Sequence, residues 1–282
     1  MKWPFRLFPA VISAALAAAV ITTTGCGVQK EVNAAGGTDV GLSSNVASED
    51  VSSSLKAESV PQKEEMASAE VRETDRSYLD DAVFIGDSVT LKLQKYVTSM
   101  RKKDKSFFGK ARFLAAGSMG SGNALQPLGG KSIHPYYNGE KALLEDSIAK
   151  MSSRKVYIMF GMNDIAVYGI DGSAENLKKL SARIIEKTPG IKIYIQSVTP
   201  ILKSKQKHTL NNANIEIYNN KLKEICKHQS WYYIDVASVM HDGSGSLKPE
   251  YCSDPDDLGI HFTDKACSVW VHYILTHAPT EE

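Results

Sequence analysis

Five short apolar runs separated by helical segments constrain the fold of this 282-residue chain more than any other feature. Runs of this length, several of them ended by Gly, are typical of strands buried in a parallel sheet. The runs lie at 82–86, 111–116, 155–160, 191–198 and 231–236. The helical segments lie at 89–100, 140–151, 173–188, 211–228 and 263–277. This alternation predicts an α/β fold, a three-layer α/β/α sandwich around a mostly parallel five-stranded sheet.

Polar and glycine-rich motifs follow three of the predicted strands, and one more precedes the last helix. In chain order they are Gly86-Asp87-Ser88, Gly117-Ser118-Met119-Gly120, Gly161-Met162-Asn163-Asp164 and Gly259-Ile260-His261-Phe262-Thr263. Open α/β sheets bind ligands at the carboxyl ends of their strands. We therefore expect the motifs to meet in one site at that edge of the sheet.

Each of these motifs also has a purely structural interpretation. Ser88 precedes a helical segment, where serine commonly caps the helix, and His261 can pack against the turn before the last helix. Asn163 belongs to an Asn-Asp pair, which is common in loop turns. Gly117 and Gly120 can serve turns that need a positive φ.

The order Ser88, glycine, Asn163, His261 resembles that of the SGNH (GDSL-type) hydrolase superfamily, over about residues 78–278. The resemblance implies an SGNH/flavodoxin-like sheet and an ester hydrolase without a metal or an organic cofactor. It implies that Ser88 is the nucleophile and His261 its general base. It further implies an oxyanion hole made by the Ser88 N–H, a glycine N–H and the Asn163 side-chain amide. Of Gly117 and Gly120, the family's pattern favours Gly120 as the donor.

The third member of the catalytic triad departs from that pattern. The family usually has an Asp three residues before the histidine, where this chain has Leu258. The nearby carboxylates are Asp257, Asp256 and Asp254. We assign Asp257, because a loop longer by one residue brings it to the far ring nitrogen. The alternative is a Ser-His dyad whose ring is oriented by a backbone carbonyl.

The N-terminal residues 1–26 have the pattern of an export signal. Lys2 and Arg6 precede an apolar run that ends at Gly25-Cys26. A basic start, a run of about 7–15 apolar residues and small residues before the cut characterise such signals. Gly25-Cys26 resembles a bacterial lipoprotein cleavage site, which predicts lipidation of Cys26. The alternative is a plain secretory signal in which Cys26 has no role.

The remaining chain divides into two parts. Residues 27–75 are rich in Ser, Ala, Glu and Gly and poor in bulky apolar side chains, which predicts a disordered tether. Residues 76–282 form the predicted SGNH hydrolase-like domain. The chain has 33 Lys and Arg against 32 Asp and Glu, a net charge of +1. No concentrated basic face is evident, so nucleic-acid binding is not expected.

Three cysteines remain after Cys26, namely Cys226, Cys252 and Cys267. Their spacing contains no CxxC pair, so a zinc site is not expected. A disulfide between Cys252 and Cys267 is compatible with export, but we favour buried unpaired thiols.

Together these features predict an exported, membrane-anchored serine esterase that faces the extracellular side. We expect it to cleave small acyl esters, such as O-acetyl groups on extracellular glycans, through an acyl-enzyme on Ser88. An acyltransferase with the same residues is one alternative. A wall-binding module with weakened activity is another, and it rests on Leu258. The sequence does not indicate an oligomeric state.

Overall fold

The computed structural model describes residues 75–277. The predicted signal peptide, Cys26 and nearly all of the predicted tether lie outside the described residues. Within 75–277, no helix combines the length and the apolar character needed to cross a membrane.

A five-stranded parallel sheet forms the centre of the described domain. Its strands are β1 Ala82–Gly86, β2 Arg112–Ala115, β5 Lys155–Met159, β6 Lys192–Gln196 and β7 Tyr232–Ile234. They are arranged in the order β2-β1-β5-β6-β7, and every neighbouring pair is parallel. All five therefore point their carboxyl ends toward the same edge, which brings the motifs after β1, β2 and β5 close together. The predicted fold is confirmed.

Seven helices accompany the sheet within the described residues. They are α1 Ser88–Arg101, α2 Ser121–Ala124, α3 Leu144–Lys150, α4 Ile165–Lys187, α5 Asn212–Gln229, α6 Ala237–Met240 and α7 Asp264–Thr276. Short 3₁₀ helices occur at Arg76–Leu79, Lys203–Lys205 and Pro249–Tyr251.

Two predicted helices have different beginnings in the structure. The segment predicted as helical from residue 140 begins instead with the strand β4 Glu140–Lys141, which pairs with β3 Tyr136–Tyr137 in a hairpin, and helix α3 starts only at Leu144. Asn138 and Gly139 form its two-residue turn, both with positive φ, a conformation that Asn-Gly adopts readily. Helix α4 begins eight residues before the predicted start, with a kink at Gly169, where φ is 67°.

Alternate strand residues pack against opposite helical layers. On one face, residues such as Val83 and Ile158 join a core with apolar side chains of α3, α4 and α5. On the other, residues such as Phe84 join a core with α1 and α7. A row of stacked rings crosses this second face, and it consists of Phe113, Phe84, Tyr157, Tyr194 and Tyr232. The stacked rings connect all five strands across this face of the sheet.

Candidate active site

Ser88 is the first residue of α1, immediately after the turn that follows β1. Asp87 is the N-cap of this helix, and its carboxylate accepts a hydrogen bond from Val89 N at 2.8 Å. A Cβ on Gly86 would lie 2.0 Å from Thr90 Oγ1, so the turn requires glycine. Because Asp87 fills the capping position, Ser88 is not the cap, and its hydroxyl is available for other contacts.

A chain of hydrogen bonds connects Ser88, His261 and Asp254. His261 Nε2 lies 2.8 Å from Ser88 Oγ, and His261 Nδ1 lies 2.7 Å from Asp254 Oδ2. A carboxylate only accepts, so Nδ1 carries the proton that is donated to Asp254. Nε2 is then free to accept from the Ser88 hydroxyl. This arrangement activates a serine for nucleophilic attack.

The assignment of Asp257 is corrected by the structure, which places Asp254 against the imidazole. Residues 251–253 run antiparallel to residues 261–263 in a hairpin, with Ser253 N donating to His261 O at 2.8 Å. Asp254 and His261 therefore face each other at the base of the hairpin loop. Asp257 lies near its tip and is exposed, as is Asp256. Chain spacing alone could not distinguish a residue at the base of the loop from one at its tip.

The carboxylate of Asp254 is held by its neighbours in the ionised state. Oδ1 accepts hydrogen bonds from Ile260 N at 3.1 Å, from His261 N at 2.9 Å and from Cys252 Sγ at 3.3 Å. Partial burial raises the pKa of Asp254, but the hydrogen bonds from His261 and Cys252 outweigh it, and the pKa lies below its ordinary value. Asp254 thus presents a negative charge to the imidazole across the neutral pH range.

The three predicted oxyanion donors differ in whether their N–H groups are free to bind an oxyanion. Ser88 N is at the start of α1, where a backbone N–H has no intrahelical acceptor. The Asn163 amide nitrogen lies 3.2 Å from Asp87 Oδ2 and 3.1 Å from Met119 O. Gly120 N donates to Asn123 Oδ1 at 2.9 Å. Sequence reasoning did not identify Asn123, although its position three residues after the N-cap of α2 is one from which side chains often bond back.

Gly120 and Gly117 have different environments. Gly120 is buried, and a Cβ on it would lie 2.6 Å from Asp164 Oδ1. Gly117 is exposed, and a Cβ on it would meet nothing within 4 Å. Gly120 is thus packed against a residue that follows β5, but its N–H is already bonded to Asn123, so the choice of Gly120 over Gly117 as the oxyanion donor stays a prediction.

Two buried carboxylates support the loops that carry these donors. Asp164 accepts hydrogen bonds from Ser121 N, Ser121 Oγ and Gly122 N, each at 3.0 Å, and so fixes the turn that contains Gly120. Burial raises the pKa of Asp164 in spite of these bonds. Burial, together with the nearby charge of Asp164, raises the pKa of Asp87 to about 6 although Val89 N donates to it. Both carboxylates are positioned to orient donors, because Asp164 fixes the turn at Gly120 and Asp87 accepts from the Asn163 amide.

The cysteines form no site of their own. Cys226, Cys252 and Cys267 are buried and unpaired, so the possible bridge between the last two is not formed. Burial raises the pKa of these thiols to about 12, 11 and 12, respectively. Within residues 75–277, no group of His, Cys, Asp and Glu is arranged to hold a metal ion.

Comparison with known proteins identifies the family of the chain. A sequence model of the GDSL-like lipase/acylhydrolase family matches residues 84–267, a span that includes every residue of the candidate site. No curated protein sequence matches the chain.

Several solved structures share the fold. A GDSL-like lipase from Bacteroides thetaiotaomicron aligns with a TM-score of 0.51 at 17% identity, covering 68% of this chain and 84% of its own. A protein assigned as an acylhydrolase from Bacteroides fragilis aligns with a TM-score of 0.51 at 19% identity, and the alignment covers 73% of this chain and 89% of that protein. An acetyl-xylooligosaccharide esterase from Geobacillus stearothermophilus aligns with a TM-score of 0.50 at 14% identity, and the alignment covers 71% of this chain and 94% of that protein. At these identities the likeness establishes the fold, whereas the family match extends over most of the domain. The chain therefore belongs to the GDSL-like lipase/acylhydrolase family of the SGNH superfamily and is a serine-type ester hydrolase.

Proposed function

We propose that the protein is a lipid-anchored extracellular esterase that removes small acyl groups, such as O-acetyl groups, from glycans. The observation that carries the catalytic part is the hydrogen-bonded chain from Ser88 Oγ through His261 to Asp254. The anchoring part rests on the export signal and on Gly25-Cys26.

In the proposed reaction, Ser88 Oγ attacks the carbonyl carbon of the ester while its proton passes to His261 Nε2. Asp254 keeps Nδ1 protonated and stabilises the imidazolium. The imidazolium then protonates the leaving alcohol oxygen, and the acyl group remains as an ester of Ser88. A water molecule, deprotonated by His261, attacks that ester and releases the carboxylic acid and free Ser88.

A small acyl group is favoured by the location of the cavities. The larger cavities in the described part of the chain, of about 740, 750 and 430 Å³, are not lined by Ser88, His261 or Asn163, and a smaller one beside Ser88, lined by residues that include Asp87 and Val89, has no room for a water molecule. None of these cavities offers a channel that would take up a long acyl chain at the serine. The glycan is favoured by the predicted position outside the cell and by the acetylated saccharide named for the Geobacillus relative.

The catalytic part is tested with p-nitrophenyl acetate and a fluorophosphonate probe. Ser88→Ala should abolish both hydrolysis and labelling, because no other hydroxyl contacts His261 Nε2 in the described residues. Ser253→Ala is the matched control, since Ser253 is exposed and lies in the hairpin beside the triad, and it should behave as wild type. Hydrolysis that persists in Ser88→Ala would refute the assignment of the nucleophile.

The substrate is tested with a series of esters and with acetylated glycans. We expect kcat/KM to fall as the p-nitrophenyl ester lengthens from acetate to octanoate, and acetate to be released from acetylated polysaccharide. A preference for octanoate would contradict the small-acyl proposal. Transfer of the acetyl group to an added sugar in preference to water would identify an acyltransferase instead.

A further inference from the structure

The Met119–Gly120 peptide is turned so that its carbonyl, and not its N–H, faces the oxyanion donors. Met119 O accepts from the Asn163 side-chain amide at 3.1 Å, while Gly120 N donates to Asn123 Oδ1 at 2.9 Å. No described peptide bond is cis, so the C=O and N–H of this peptide point in opposite directions. The N–H of Gly120 therefore points away from the side on which the Asn163 amide lies.

Both protons of the Asn163 amide are also engaged. One acceptor is Asp87 Oδ2 at 3.2 Å and the other is Met119 O. An amide nitrogen has only two protons to donate. An oxyanion that binds to Asn163 must therefore displace one of these acceptors. Met119 O is the neutral one of the two, so it is the weaker competitor.

We propose that Asn123 holds the oxyanion hole closed in the free enzyme, and that the Met119–Gly120 peptide turns over when an acyl substrate binds. This rotation of the peptide moves Met119 O away from Asn163 and points the Gly120 N–H at the developing oxyanion. Asn123 is then a positioning residue that acts through Gly120. This inference rests on the proposed function, because it assumes that an oxyanion forms at Ser88.

The residue at position 120 is suited to this movement. Gly120 has φ −129° and ψ 173° in the present conformation. Turning the preceding peptide by half a rotation carries φ to roughly +50°, a region that glycine enters at little cost. The following turn stays in place, since Asp164 holds Ser121 and Gly122 independently of Gly120 N.

The kinetic test compares Asn123→Ala and Asn123→Asp with wild type on p-nitrophenyl acetate. Asn123→Ala releases the Gly120 N–H and should raise kcat by about 2- to 10-fold, the worth of one neutral hydrogen bond, with KM little changed. Asn123→Asp should lower kcat by about 2- to 10-fold, because a carboxylate binds the N–H roughly twice as strongly as a neutral amide oxygen does. Asn211→Ala is the matched control, since Asn211 also accepts from a backbone N–H, that of Asn214 at 2.9 Å. It should leave kcat unchanged.

A crystal structure of wild-type enzyme labelled with a phosphonate tests whether the Gly120 N–H leaves Asn123, and it does so even if Asn123→Ala fails to fold. We expect Gly120 N to donate to the phosphonyl oxygen and Asn123 Oδ1 to have lost that partner. A labelled Ser88 with Gly120 N still bonded to Asn123 would overturn the role of Asn123 and leave the proposed esterase intact. A fall in kcat in folded Asn123→Ala would also overturn it. Failure of wild type to label at Ser88 would instead refute the proposed function, and this inference with it.

Discussion

Replacing Asp254 by Asn should inactivate the enzyme without unfolding it. The Asn Oδ1 can still accept from Ile260 N and His261 N, as the Asp Oδ1 does at 3.1 and 2.9 Å. The Asn NH₂, however, would replace Asp254 Oδ2 at 2.7 Å from His261 Nδ1 and would donate to it. The ring must then carry its proton on Nε2, which can no longer accept from the Ser88 hydroxyl.

The size of the effect follows from losing both the base and the partner of the imidazolium. The same change in a serine protease triad lowers kcat by about 10⁴-fold, or about 5 kcal/mol in transition-state stabilisation. We expect a loss of that order here. The free energy of unfolding should fall by only about 1–2 kcal/mol, because the two backbone hydrogen bonds are retained.

The assay is kcat for p-nitrophenyl acetate, measured together with urea denaturation to confirm folding. Asp257→Asn is the matched control, because Asp257 is in the same loop and exposed. It should keep at least half of the wild-type kcat. The reasoning would be refuted if folded Asp254→Asn kept more than a tenth of wild-type kcat, or if Asp257→Asn lost as much as Asp254→Asn.

Three further predictions test the packing around the site. Gly120→Ala should destabilise the protein by about 1–3 kcal/mol, because its Cβ would lie 2.6 Å from Asp164 Oδ1, whereas Gly117→Ala has open space and should leave the melting temperature unchanged. Burial raises the pKa of Asp87 from 3.8 to about 6, so the native state binds this proton more tightly than the unfolded state does. The free energy of unfolding should therefore fall as pH rises from about 4 to above 6, by about 3 kcal/mol in all. Asp87→Asn should remove that loss. An equal fall in the free energy of unfolding between pH 4 and pH 7 in wild type and Asp87→Asn, measured by urea denaturation, would contradict it. The three buried thiols should resist iodoacetamide in the native protein at pH 8 and react only in denaturant, so rapid native labelling would show that they are accessible.

The sheet was predictable because its inner strands are buried on both faces and its edge strands are at least half-buried. Such strands are continuous apolar runs, and all five occur where the sequence predicts them, with ends shifted by no more than two residues. The hairpin at 136–141 and the first two turns of α4 were missed because polar residues and glycines obscure the periodicity there. Asn138-Gly139 carried a recognisable turn signal, whereas a lone glycine such as Gly169 does not by itself predict a kink within a helix.

The location of the site was also predictable, but its hydrogen-bond pattern was not. Strand ends determine that residues 88, 120 and 163 meet, and this follows from the parallel order of β1, β2 and β5. The direction in which a single peptide or side-chain amide points depends on small differences between competing acceptors. Asn123 competes for the N–H of Gly120 in this way, and no spacing rule identifies such a competitor.

The seven-residue separation of Asp254 from His261 shows why spacing misled the assignment of the acid. Orienting an imidazole requires a carboxylate oxygen at hydrogen-bond distance from Nδ1, and it requires nothing of the chain between the two residues. The loop closes on itself, because Asp254 O accepts from both Asp257 N and Gly259 N at 3.1 Å. Gly259, with φ 68°, turns the chain back toward the base of the hairpin. Leu258 therefore lies in a loop that is longer than the family's usual spacing, and Asp254 supplies the acid from the base of that loop. The alternative of a binding module with weakened activity thus loses the observation on which it rested.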